Sequence, residues 1–269
     1  MLRTRIITAL IIAPIAVFGV FLLPPFEFSL FVGAVLVLAA WEWGNLGGLT
    51  NSLRVVYALI FSMGLFLASL VPPEQIMFVG LLWWAFALIF VVSFPDLERI
   101  WSSRIVVLLI GFIVLVPSWV ALRELKQFND SSYLICFLFF LVWGADVGAY
   151  FTGRAFGRHK LAVKVSPSKT WEGFCGGLLL VLLVAMGMLV WSGRPDLNTT
   201  DGLVLLSFSL VVGMVSVLGD LTISMFKRKR NLKDSSNLLP GHGGILDRID
   251  GLLPATPVFA IYLLSVDWV

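Results

Sequence analysis

Charge is what this sequence has least of: Asp, Glu, Lys and Arg make up 13% of its 269 residues, while 59% are hydrophobic. An ordinary soluble domain carries about 25% charged residues, so the composition argues against a water-soluble fold. Cysteine is scarce as well. Cys136 and Cys175 lie in or beside apolar segments, which leaves no disulfide framework and no cysteine metal site. The two histidines, His159 and His242, have no second His or Cys at zinc spacing and read as loop hydrogen-bonders or anion contacts. The Gly-rich spacing of a P-loop is missing, so a nucleotide would have to be held in another way. The first apolar run ends at Pro24-Pro25 without a small-residue cleavage site and reads as an uncleaved span. No internal repeat is evident, and nothing points to a nucleic-acid partner.

What is present in abundance is apolar chain. Stretches near the roughly 20 residues needed to cross a bilayer fall at 6–23, 28–46, 54–71, 76–94, 104–122, 133–151, 174–192, 203–226 and 251–266, nine in all. Backbone in lipid must satisfy its own hydrogen bonds, and these runs are too long for barrel strands, so the class is all-α and polytopic. Gly, Ser and Pro interrupt spans two to four and leave room for a merged or re-entrant pair there. One integral membrane domain, 1–269, is expected, with N-terminal spans of no assigned role over 1–130 and the chemistry in 131–269.

Nine spans alternate the connecting segments between two sides. Sixteen of the 19 basic residues then fall with the N-terminus, including Arg3, Arg5, Arg54, Arg99, Arg104 and every Lys and Arg of loops 152–173 and 227–250. Only Arg123, Lys126 and Arg194 fall opposite. By the positive-inside rule the N-terminus and both long polar loops are cytoplasmic, in what would be a bacterial inner membrane.

Two acids sit inside apolar segments, Asp146 in the sixth and Asp220 in the eighth. A carboxylate at a helix centre costs about 2.5–3.5 kcal/mol on insertion scales, so such residues face a polar cavity or a partner. A structural ion pair is the alternative. Asp247 and Asp250 stand three residues apart, hence on one helical face at the entrance to the ninth span. Together they can ligate a hard cation such as Mg2+, which takes one or two carboxylates plus substrate phosphates; acids at a helix start are also ordinary dipole chemistry. Just upstream lie Lys227-Arg228-Lys229-Arg230, Lys233-Asp234 and Pro240-Gly241-His242-Gly243-Gly244. Cations and Gly-rich backbone suit phosphate oxygens, whereas attraction to anionic headgroups would explain the basic run but not the glycines and acids behind it. The earlier loop repeats the mixture in Gly153-Arg154, Gly157-Arg158-His159-Lys160 and Ser166-Pro167-Ser168-Lys169-Thr170-Trp171-Glu172-Gly173.

These residues resemble the phosphatidate cytidylyltransferase, or CDP-diacylglycerol synthase, family. Its C-terminal signature is met from Ser224 through Lys227, Arg228, Lys233, Asp234, Pro240, His242, Gly243, Gly244, Asp247 and Arg248 to Asp250. The block from Asp146 through Lys160, Ser166, Lys169 and Glu172 is similar too, with Val147 and Val163 departing where many members have Thr or Ser and Pro. The resemblance implies an enzyme that condenses CTP with phosphatidate to give CDP-diacylglycerol and pyrophosphate, acting as a homodimer. It also implies a metal centre on Asp220, Asp247 and Asp250, a catalytic role for Lys233 and Asp234, and substrate contacts from the other signature residues. Two rivals remain at this point. A CDP-alcohol phosphotransferase shares Asp247-x-x-Asp250-Gly251, but Leu252-Leu253-Pro254 lacks its continuation. A transporter for an anionic solute would line a path with Asp146 and Asp220.

Overall fold

The computed structural model describes residues 2–192 and 199–265. Eleven helices follow one another: α1 Leu2–Leu22, α2 Pro25–Leu46, α3 Asn51–Ala68, α4 Pro73–Val92, α5 Glu98–Trp101, α6 Arg104–Leu125, α7 Ser131–Phe156, α8 Trp171–Ser192, α9 Thr199–Lys229, α10 Leu246–Ile249 and α11 Leu252–Ser265. A two-stranded antiparallel hairpin, β1 Lys160–Ala162 and β2 Ser166–Thr170, lies between α7 and α8. The all-α, polytopic class stands, with this hairpin as its one departure among the described residues.

Seven described helices are long and apolar enough to cross a membrane: α2, α3, α4, α6, α7, α8 and α9. The apolar part of α1, Leu10–Leu22, and the 14-residue α11 are shorter. At 1.5 Å per residue α11 covers about 21 Å of the roughly 30 Å hydrocarbon core. Spans two to four are three separate helices, each begun where the chain cannot continue: Pro25 and Pro73 stand at the first turns of α2 and α4, and Thr50 is the N-cap of α3. Of the residues sorted by side, Arg194 lies outside the described residues, as do position 266 of the ninth span and the side chains of Arg3 and Arg5.

Apolar faces alone do not associate helices in lipid, so packing rests on close contact and polar bridges. Trp43 Nε1 donates to the Val107 carbonyl at 2.8 Å, Tyr57 Oη to Leu108 at 2.8 Å and Trp119 Nε1 to Ser29 at 2.8 Å, tying α2 and α3 to α6. Ser118 Oγ on α6 donates to the Leu253 carbonyl on α11 at 2.7 Å. The first half of the chain therefore packs into the second. At the polar end, Phe226 of α9 lies between Trp43 (centroids 5.2 Å) and Trp101 of α5 (4.9 Å), which fixes where the basic end of α9 points.

Both polar loops differ from their expected bounds. The first is 157–170, because α7 runs on through Arg154 to Phe156, and it is folded as the hairpin. The second contains the single turn α10, so Asp247 is on a short helix of its own and Asp250 follows it, rather than both opening the ninth span.

Candidate active site

The two polar blocks meet at Asp220. Lys169 of β2 puts its Nζ 2.7 Å from Asp220 Oδ2, and Ser224, one turn along α9, donates to Oδ1 at 3.1 Å. Gly219 lets α9 lie close against Asp250 and the start of α11: a Cβ there would meet the Pro254 ring at 2.8 Å and the Asp250 carbonyl closer still. Asp250 Oδ1 accepts from Gly251 N–H at 2.9 Å, and its carboxylate lies within electrostatic reach of Asp220, Lys227 and Asp146. Asp146 projects from an exposed position on α7 and feels Lys169, Asp220 and Arg248. Three carboxylates and several cations thus share one region. The Lys169–Asp220 side chains are 21% and 31% exposed, so the pair adds little to stability, about 0–1 kcal/mol. Its weight is in joining the hairpin to α9.

Asp247 is held differently. Lys227 Nζ is 2.7 Å from Oδ1, with side chains only 11% and 5% exposed. Oδ2 accepts from Ser235 N–H at 2.8 Å and Gly244 N–H at 3.0 Å, and Ser235 Oγ stands 3.0 Å away. Burial alone would raise the carboxyl's pKa, but Lys227 and the backbone donors of Gly244 and Ser235 outweigh it and hold it below the ordinary range. The expected Asp247/Asp250 pair is therefore divided: one carboxylate closes the second loop, and the other faces the Asp220 region.

Beside this clamp the loop forms a polar pocket of about 480 Å³ lined by Lys233, Asp234, His242, Gly243 and Arg248, with Asn237 and Leu239 to Gly241. His242 Nδ1 is buried and has no hydrogen-bond partner in the protein, the condition of an atom completed by ligand or water. Lys233, Asp234 and Arg248 are exposed at its rim. Arg228 Nε reaches back to the Val165 carbonyl in the hairpin loop at 3.1 Å, a second link between the blocks.

The remaining expected residues organise the hairpin. Glu172 accepts from Arg158 N–H at 3.1 Å and His159 N–H at 3.2 Å, and stands 2.6 Å from His159 Nδ1. Lys160 is exposed opposite Thr170, and Ser166 pairs with Ala162. Glu42 was not foreseen. It enters the second loop from α2 and is fully buried. The signal was present, since Trp41-Glu42-Trp43 sets an acid in an apolar span just as Asp146 and Asp220 do.

Among the described residues no three His, Cys, Asp or Glu side chains converge as a metal cage. Magnesium does not need one. Two carboxylates with substrate phosphates and water suffice, and Asp220 with Asp250 offers such a hard-oxygen set. Asp247 Oδ2 is filled by the Ser235 and Gly244 N–H groups, while Oδ1, with Lys227 alone, keeps a lone pair.

Fold and site together define an integral membrane protein with a polar centre of carboxylates and cations gathered at one end of its helices. The chain matches the model of the cytidylyltransferase family over residues 3–266, and it belongs to that family. It is 46% identical over 272 residues to a phosphatidate cytidylyltransferase of Pseudomonas aeruginosa, covering 100% of this chain and 99% of the relative. To one of Haemophilus influenzae it is 39% identical, covering 99% and 100%. To one of Staphylococcus saprophyticus it is 42% identical over about half of each chain, 51% and 52%. Membership sets aside the CDP-alcohol phosphotransferase and transporter readings.

Proposed function

We propose that this chain transfers the cytidylyl group of CTP to the phosphate of phosphatidate, giving CDP-diacylglycerol and pyrophosphate, with Mg2+ as cofactor. The observation that carries the reading is the junction of the hairpin with the polar end of α9, through Lys169–Asp220 and Arg228–Val165, beside a pocket of Lys233, His242 and Arg248. An oxygen of the lipid phosphate attacks the α-phosphorus in line. The bond from that phosphorus to the bridging oxygen of the β-phosphate breaks, and pyrophosphate leaves with the electron pair. No proton relay or covalent enzyme intermediate is needed, because positioning and charge stabilisation supply most of the catalysis in such transfers.

Lys233 and Arg248 bind the departing phosphates, with Lys227 held at the pocket's edge by Asp247. Lys169 and Arg228 keep the hairpin over the centre, and Asp146 marks the side where the lipid phosphate enters while its acyl tails stay in the bilayer. Asp220 and Asp250 would hold the magnesium, with the free lone pair of Asp247 Oδ1 available to it; when bound, the ion neutralises phosphate charge. The loops face the cytoplasm, where CTP is found, a reading supported by the sixteen-to-three distribution of basic residues. A homodimer is the state implied by the family resemblance.

Purified protein given CTP and Mg2+ should release pyrophosphate only when phosphatidate is added. Pyrophosphate release that ignores phosphatidate would remove the lipid as acceptor.

A further inference from the structure

Glu42 lies in the N-terminal half, far in sequence from both polar blocks, and is fully buried. Its carboxylate accepts four hydrogen bonds, all from the second loop. Oε1 takes Ser236 Oγ–H at 2.6 Å and Ile245 N–H at 2.9 Å; Oε2 takes Ser235 Oγ–H at 3.0 Å and Leu246 N–H at 2.7 Å. Those donors are the two ends of one loop. Residues 235 and 236 open it, 245 and 246 close it, and the segment between them carries His242 and the glycines of the pocket. One helical turn along α2, Asn45 Nδ2 donates to the Ser235 carbonyl at 2.9 Å. The fit leaves no slack, since a Cβ on Gly244 would stand 2.6 Å from both carboxylate oxygens of Glu42. Ser235 Oγ touches Glu42 and Asp247 alike, 3.0 Å from each, so the grip of α2 passes to the carboxylate that holds Lys227.

We propose that Glu42 is a positioning residue for nucleotidyl transfer: it cinches the neck of the second loop so that Lys233, His242 and Arg248 face a common pocket. It acts through the loop and touches no substrate. A carboxylate suits the task because it is acceptor-only and offers two oxygens to donors converging from both strands of the neck. Glutamine, with the same outline, turns an NH2 toward one backbone N–H and loses that contact. The proposal gives the N-terminal spans a part in the site, and it rests on the reading of this pocket as the CTP phosphate site.

The test is Glu42→Gln in full-length protein, with CTP and phosphatidate kinetics and hydrogen exchange measured together. Loss of a hydrogen bond to a charged acceptor is worth about tenfold or more. The KM for CTP should therefore rise by about that factor, with the KM for phosphatidate within about twofold, and the Ile245 and Leu246 amides should lose protection while those of α6 keep theirs. A residue needed only for folding would lower the active fraction, and so the apparent kcat, with both KM values unchanged; that result overturns the proposal. If Glu42→Gln does not extract as a monodisperse protein, Ser236→Ala, which removes one donor and leaves the carboxylate, decides by the same KM comparison. Wild-type protein that transfers no label from CTP would sink the functional reading instead, a failure visible before any variant is made.

Discussion

The Lys227–Asp247 pair gives the sharpest energetic test, because both side chains are nearly enclosed, at 11% and 5% exposure. Replacing Lys227 by Met keeps much of the stem and removes the charge. Asp247 is then left buried with an unmatched negative charge. Breaking a buried pair by removing one partner costs about 3–5 kcal/mol. Asp247 retains the backbone N–H donors of Ser235 and Gly244, so the low end, about 3 kcal/mol, applies, which is roughly 150-fold in an equilibrium constant. The cost falls on the loop rather than the helical core. Amide exchange at Ser235 and Gly244 in detergent-solubilised protein should accelerate by about two powers of ten, with α6 and α7 unchanged. Adding Asp247→Asn removes the stranded charge and should restore part of the protection but no turnover. Unchanged exchange in Lys227→Met would refute the clamp as an energetic unit.

Asp247 also sets a pH dependence. Its folded carboxyl lies below the ordinary 3.8, so its contribution is complete above that value and is lost as pH falls through the lower folded value; Ser235 amide protection should be flat from pH 8 to 5, and a loss near neutrality would contradict this. Lys169→Met should fold normally, since its pair with Asp220 is partly exposed, yet lower turnover by about tenfold or more through loss of a charge-assisted contact; full activity would detach the hairpin from catalysis. Asp220→Asn and Asp250→Asn should each purify like the parent and lose most turnover together with its response to added Mg2+; wild-type activity in Asp250→Asn would remove that carboxylate from the mechanism. Single cysteines at the exposed Ser168 and Asn237, with Cys136 and Cys175 replaced, should resist an impermeant thiol reagent in intact cells, and outside labelling of both would invert the topology.

Much of this was legible in the sequence for definite physical reasons. Apolar runs of span length give helices because lipid leaves the backbone no other partners, and Asp146 and Asp220 stood out because an acid in such a run needs a reason. The same rule applies to Glu42, set between Trp41 and Trp43 in an apolar span. Helix ends were less readable: α7 continues past the apolar stretch through Arg154 to Phe156 and ends at Gly157, whose N–H donates to the Gly153 carbonyl. Spacing alone placed Asp247 and Asp250 on one face. It could not reveal that donors from Ser235 and Gly244 claim the first of them, or that Lys169 of the hairpin reaches Asp220 on α9, since both contacts are made only in the folded chain.

The most direct test of the central claim follows the phosphorus of CTP. With phosphatidate and Mg2+, label on the α-phosphate should appear in the organic-extractable lipid, and label on the γ-phosphate should appear as soluble pyrophosphate in equal amount. Alpha label that remains soluble as CMP, with none in the lipid, would contradict the account even if every contact described above proved correct.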